Sequence, residues 1–244
     1  MNNKVCLIHQ PLGLGDIFYT QKIATHFRNQ GYEILWPVAP QYLWVGDYIL
    51  DVNFVNVEAD FPYKDVYSSN ILEVVETEDK ELVYVPLTSA DRLFSSLPIM
   101  NSKYALVRLD ADDWNSYFCF KRNRKKEGKL FYEVLGLTDE TKYNFVNKMY
   151  GPAPNVNTYS AVSPNPHLPV VELRFVEGYT LFDWCKVIEN ASEIHIVDTS
   201  INYIIDKLEL KASTLKCYLK EGDFTFRQVG HLFKTNWDFV NGTC

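Results

Sequence analysis

Leu12-Gly13-Leu14-Gly15-Asp16 separates an apolar run, Val5-Cys6-Leu7-Ile8, from an amphipathic stretch that begins at Ile17. The apolar run reads as part of a strand over 4–9, and the amphipathic stretch after the loop reads as a helix. Glycines let the chain turn tightly between the two, so the segment is the opening of a βαβ unit with a carboxylate at the handover from strand to helix. In open α/β sheets ligands collect at such strand ends. Gly13, Leu14, Gly15 and Asp16, with His9 at the end of the first strand, therefore form the first candidate site, and a cleft-lining loop is expected there.

The same pattern continues outward. A helix is predicted over 17–29 with Gly31 as its stop signal, then a strand over 33–38 ended by Pro37 and Pro40, a helix over 41–50, and strands over 52–57 and 82–86. Residues 103–109 read equally as strand or helix. Strands joined by helical crossovers must run parallel. Between Trp114 and Leu137 the character changes: Lys121, Arg122, Arg124, Lys125, Lys126 and Lys129 cluster, followed by Leu130, Phe131, Val134 and Leu135 at helical spacing. This predicts a connecting helix over 116–140 between one domain over 1–115 and another over 141–244. Pro152, Pro154, Pro164, Pro166 and Pro169 mark an irregular loop. Beyond it strands over 170–175, 193–197 and 214–219 alternate with helices over 181–190 and 201–208. Asp198-Thr199-Ser200 follows the buried run Ile194-His195-Ile196-Val197, which makes a second strand-end candidate, and two such sites imply a cleft between two lobes.

Bulk properties narrow the function. The chain has 244 residues, long enough for one large or two small self-sufficient cores. Its 24 Lys+Arg against 31 Asp+Glu give a formal charge of -7, which argues against a general role on nucleic acid. Cys6, Cys119, Cys185, Cys217 and Cys244 form no metal-ligand spacing and read as reduced thiols. The first residues enter a strand without a basic and then apolar leader, and no apolar run approaches the roughly 18 residues of a membrane span. A cytoplasmic protein with no membrane span is the expectation.

Gly15-Asp16-Ile17-Phe18-Tyr19-Thr20 resembles the first loop of the heptosyltransferase-like glycosyltransferases of family 9, where Gly-Asp precedes an apolar residue and a threonine. Asp198-Thr199-Ser200-Ile201-Asn202-Tyr203, through Leu208, is similar to the later family segment Asp-Thr-Gly-x-x-His-x-x-x-x-Leu, with Ser200 in place of glycine and Tyr203 in place of histidine. Tyr179 to Ala191 looks like the helix before the family's donor-site strand. No clear counterpart of the family's lysine follows the second lobe's first strand, and Lys148 is the nearest. The resemblance implies an α/β fold of two Rossmann-like lobes with parallel sheets facing a central cleft, the B-type glycosyltransferase architecture in shortened form.

It further implies a glycosyltransferase that moves a sugar from a nucleotide-sugar donor to a hydroxyl of a carbohydrate or glycoconjugate acceptor, inverting and independent of metal. The nucleotide-sugar would be a co-substrate, with no separate cofactor. Such a transfer needs a base for the acceptor hydroxyl and a site for the departing phosphate. The resemblance assigns the first role to Asp16; a simple N-cap is the alternative. It assigns the donor to Asp198, Thr199, Ser200 and Tyr203, against an ordinary capping turn. Arg174 and Glu177, beside a turn after a strand, read either as nucleotide contacts or as an exposed pair. Asp110-Ala111-Asp112 imitates a metal motif but reads as a solvated loop. Gly13-Leu14-Gly15 lacks the third glycine of a dinucleotide fingerprint and the lysine of a P-loop. The basic run 121–126 reads as a solvated face, His195 as structural, and Tyr150 and Tyr159 as either sugar-stacking or core-covering rings. The competing reading is a non-catalytic nucleotide- or sugar-binding protein with the same two-lobed fold.

Overall fold

A computed structural model describes residues 4–68, 71, 73–77, 82–151 and 156–241. Pro152, Pro154 and Cys244, singled out above, lie outside the described residues. The chain divides into two compact units, Met1–Lys121 and Arg122–Cys244. Each is an α/β layer structure on its own sheet.

The first unit contains β1 (Val5–Ile8), β2 (Glu33–Val38), β3 (Asn53–Asn56), β4 (Val75–Thr77) and β5 (Leu82–Val85), in the spatial order β3-β2-β1-β5-β4. The runs Val5-Cys6-Leu7-Ile8 and Leu82-Val83-Tyr84-Val85 pair parallel at the centre, and burial on both faces explains their unbroken apolarity. β1 also pairs parallel with β2, and β2 with β3. The edge strand β4 runs antiparallel to β5, a departure from the all-parallel expectation. Pro37 lies within β2 rather than ending it, at a position paired only with β3. Of the stretch 103–109, open between strand and helix, residues 103–106 form the end of the helix Ile99–Leu106 and the rest is neither helix nor strand.

One helix was expected after the glycine loop, and two are found: α1 (Leu14–Tyr19) and α2 (Gln21–Asn29). Thr20 makes the break, because its hydroxyl donates to the Asp16 carbonyl (2.7 Å) and competes with the helical ladder. Ile17, Phe18, Ile23, Ala24 and Phe27 are buried in this layer. Gly31, at φ 90°, ends it by a left-handed turn that other residues rarely adopt.

The second unit has β6 (Asn144–Asn147), β9 (Val170–Glu172), β10 (Glu193–Val197), β11 (Thr214–Leu219) and β12 (Asp238–Asn241), all parallel, in the order β12-β11-β10-β6-β9. A small antiparallel pair, β7 (Met149–Tyr150) with β8 (Asn157–Thr158), interrupts the crossover from β6 to β9. His195 is buried in β10, with its ring nitrogens on Tyr218 and Glu193, so its role is structural.

Residues 116–140, expected as one connecting helix, are shared between the units. Trp114–Tyr117 belongs to the first, and the helical segments Arg124–Gly128 and Lys129–Val134 belong to the second. In the latter, Leu135 N–H bonds the Leu130 carbonyl at 3.0 Å, a five-residue step that widens the turn. Leu130 and Phe131 enter the core while Val134 is left exposed, which the spacing alone did not reveal. Arg122 and Lys126 are not a solvated face either. Arg122 is paired with Glu127 and Glu189, and Lys126 with the buried Asp183 at 2.9 Å, tying this helix to the stretch Leu181–Asn190. Cys6, Cys185 and Cys217 are buried free thiols whose pKa values burial pushes up, Cys217 to about 12.

Candidate functional site

In the first unit the strand order changes direction between β1 and β5: the chain steps from β1 through β2 to β3 on one side, then returns to β5 on the other. The carboxyl ends of two such strands leave a crevice. His9 and Gln10 follow β1, and Pro86 and Leu87 follow β5. The glycine loop returns over this point, and Asp16 stands in the first turn of α1. Asp16 is not the N-cap; that position is Gly13, at φ 84°. A Cβ on Gly13 would overlap Asp16 Oδ2, so glycine here allows both the turn and the seat of the carboxylate.

The partner of Asp16 went unnoticed in the sequence. Lys103, from the helix Ile99–Leu106, places Nζ 3.2 Å from Asp16 Oδ1. The same ammonium donates to Gln10 Oε1 (2.7 Å) and to the Leu87 carbonyl (3.2 Å). Its side chain is 5% exposed and that of Asp16 is 27% exposed. A buried lysine thus supports a carboxylate that reaches solvent. His9 lies in the same strand-end region, stacked on Tyr67 at 4.1 Å and bonded through Nδ1 to the Tyr84 hydroxyl at 2.6 Å; burial lowers its pKa.

The second unit has a change of direction of its own, between β6 and β10. Asn147 ends β6 and Asp198 follows β10, and Asn147 Nδ2 donates to the Thr199 hydroxyl at 3.2 Å across this point. Asp198 is almost buried. Its Oδ1 accepts the Lys220 N–H at 2.8 Å, and Oδ2 lies 3.3 Å from Lys220 Nζ. Desolvation raises the Asp198 pKa, and the Lys220 contacts oppose that rise. Lys220 also lies over the Tyr150 ring, 5.5 Å from its centroid. This cation at the end of β11 was missed in the sequence because Asp198, its partner, is distant in the chain.

The other residues expected on the donor side differ in exposure and in partners. The Thr199 N–H is already taken by Asn202 Oδ1 (3.0 Å), and the helix that follows, Ile201–Ile205, is a single short turn. Tyr203 is buried, with its ring edge-on to that of Phe233 at 5.0 Å. Arg174 and Glu177 are both exposed, Ser200 is half-buried, and Lys148 Nζ lies 3.9 Å from Glu172. Tyr159 donates to the Leu219 carbonyl at 3.1 Å, while its ring meets Tyr150 edge-on. Asp110 and Asp112 are exposed; the Asp112 N–H closes a turn on Asp110 Oδ1, and Lys22 binds the Asp110 carbonyl and pairs with Asp113. Among the described residues no group of three His, Cys, Asp or Glu is placed to hold a metal ion, and no helix is long and apolar enough to cross a membrane.

No protein-family model matches the chain, and no curated protein does. Solved structures do. A glycosyl transferase of family 9 from Veillonella parvula superposes with TM-score 0.55 at 9% identity, covering 100% of this chain and 88% of that one. The heptosyltransferase TibC, solved in complex with ADP-D-β-D-heptose, gives TM-score 0.51 at 9% identity, with 100% of this chain and 64% of that one covered. TibC from enterotoxigenic Escherichia coli gives 0.50 at 8% identity, over 99% and 63%. The chain therefore has the fold of the group its two motifs resemble, and it spans less than two thirds of the length of TibC.

Proposed function

We propose that this chain is a glycosyltransferase that takes a sugar from a nucleotide-sugar and attaches it, with inversion and without a metal, to a hydroxyl of a carbohydrate or glycoconjugate in the cytoplasm. The observation that carries the reading is Asp16: a solvent-reaching carboxylate at the point where strand order reverses, fixed by a buried lysine. A carboxylate within reach of a strand-end crevice is a candidate general base by its geometry. Asp16 takes the proton of the acceptor hydroxyl as that oxygen bonds to the anomeric carbon. The bond from that carbon to the diphosphate oxygen breaks, and the nucleoside diphosphate leaves with the electron pair.

The donor is assigned to the second unit. Lys220 and Lys148, beside the ends of β11 and β6, are the cations that would meet the departing diphosphate, with Ser200, Thr199, Arg174 and Glu177 around them. Asp198 orients Lys220 rather than touching phosphate. A nucleotide-sugar donor is supported by the ADP-D-β-D-heptose complex of a structure with this fold, although fold alone does not fix chemistry.

A second reading, a binding protein without turnover, draws on the burial of Tyr203 where the family carries histidine. One experiment separates them. ADP-heptose, UDP-glucose and GDP-mannose are titrated into the chain by calorimetry, and each is assayed for donor hydrolysis and for transfer to carbohydrate acceptors. Turnover of a bound donor supports the transferase; binding without turnover supports the second reading, and no binding at all removes both.

A further inference from the structure

We infer that Lys103 is the positioning residue of Asp16: it locks one carboxylate oxygen so that the other, Oδ2, receives the acceptor's proton. The inference rests on the reading of Asp16 as the base. The Lys103 ammonium donates to Gln10 Oε1, from the loop after β1, and to the Leu87 carbonyl, from the loop after β5, and Asp16 Oδ1 from α1 stands 3.2 Å from it as its counter-ion. The cation therefore joins the ends of both central strands to the catalytic turn. It gives no proton to the reaction, and at 5% exposure it reaches substrate only through Asp16.

The burial order separates this pair from an ordinary surface salt bridge. A surface pair exposes both ends and contributes little. In this pair the lysine lies inside and the carboxylate outside, and the contacts of that lysine are with structural elements of the first unit. Oδ1 lies beside the Lys103 ammonium and Oδ2 occupies the space that a Cβ on Gly13 would fill, so a neighbour places each oxygen. Reacting groups fixed in this way avoid the loss, on the order of a hundredfold, that a displacement of about 1 Å brings.

The test compares wild type, Lys103→Met, Lys103→Arg and Asp16→Asn in steady-state assays with ADP-heptose, UDP-glucose and GDP-mannose as probes, beside thermal unfolding of each variant. Lys103→Met is expected to lower kcat roughly a hundredfold while KM for the donor stays within about twofold. Lys103→Arg, which keeps the charge, is expected to recover part of kcat. Should Lys103→Met fail to fold, Lys103→Gln retains one donor for Gln10 or Leu87 and carries the same expectation. Wild-type kcat in folded Lys103→Met, beside an inactive Asp16→Asn, overturns the positioning role alone. An equal loss in kcat and donor affinity also overturns it. Full activity in Asp16→Asn, or a wild type that turns over none of the probes, overturns the base reading and this inference with it.

Discussion

Gly13 concentrates two demands on one residue. Its φ of 84° lies in the left-handed region, and the space a Cβ would fill is held by the Asp16 carboxylate. Gly13→Ala is therefore expected to lower transfer at least tenfold by displacing Asp16, with donor binding in calorimetry unchanged; equal losses in both would remove the local explanation. His9 supplies a pH dependence of known sign. Burial lowers its folded pKa below the ordinary 6.5, so between those values the unfolded chain holds a proton that the folded chain lacks. Stability then falls as pH drops through that window and is fully present above it. Denaturant midpoints at several pH values should show this fall in wild type and a shallower one in His9→Phe, which keeps the stack on Tyr67. Identical slopes would assign the effect elsewhere.

At the scale of elements, the ion pairs around Arg122 hold a helix to a helix. Glu127 is 1% exposed and Arg122 14%, so removing the cation leaves a buried carboxylate without its main partner. Arg122→Met is expected to cost about 3 kcal/mol of stability, read from denaturant unfolding, with a loss below about 1 kcal/mol placing the pair among surface bridges. The central strands were legible because burial on both faces demands runs such as Val5–Ile8 and Leu82–Val85, and the turns because glycine marks them. Less was legible where local pattern yields to tertiary geometry. The Thr20 hydroxyl splits a continuous apolar periodicity, and a widened turn between Leu130 and Leu135 changes which side chains face inward. The short β4 and the β7-β8 pair carry too few residues for a period to show. Asp16 and Asp198 were readable as strand-end residues. Lys103 and Lys220 were not, since each meets its carboxylate only after the chain has folded back.

Over the whole molecule, the doubly wound order appears twice, and in each unit a candidate site stands where that order reverses. The solved structures share the fold at 8% to 9% identity, so the chemistry must be argued from the residues. In the second unit Lys220→Met is expected to weaken nucleoside-diphosphate binding roughly tenfold in calorimetry, whereas unchanged binding would move the diphosphate away from β11. In the first unit the central claim is that Asp16 accepts the acceptor's proton. Its most direct measurement sets Asp16→Asn beside wild type, with transfer rate and donor affinity determined on the same preparations. A fall in rate of at least a hundredfold with unchanged donor affinity is the predicted result, and a variant that transfers at the wild-type rate would contradict the account.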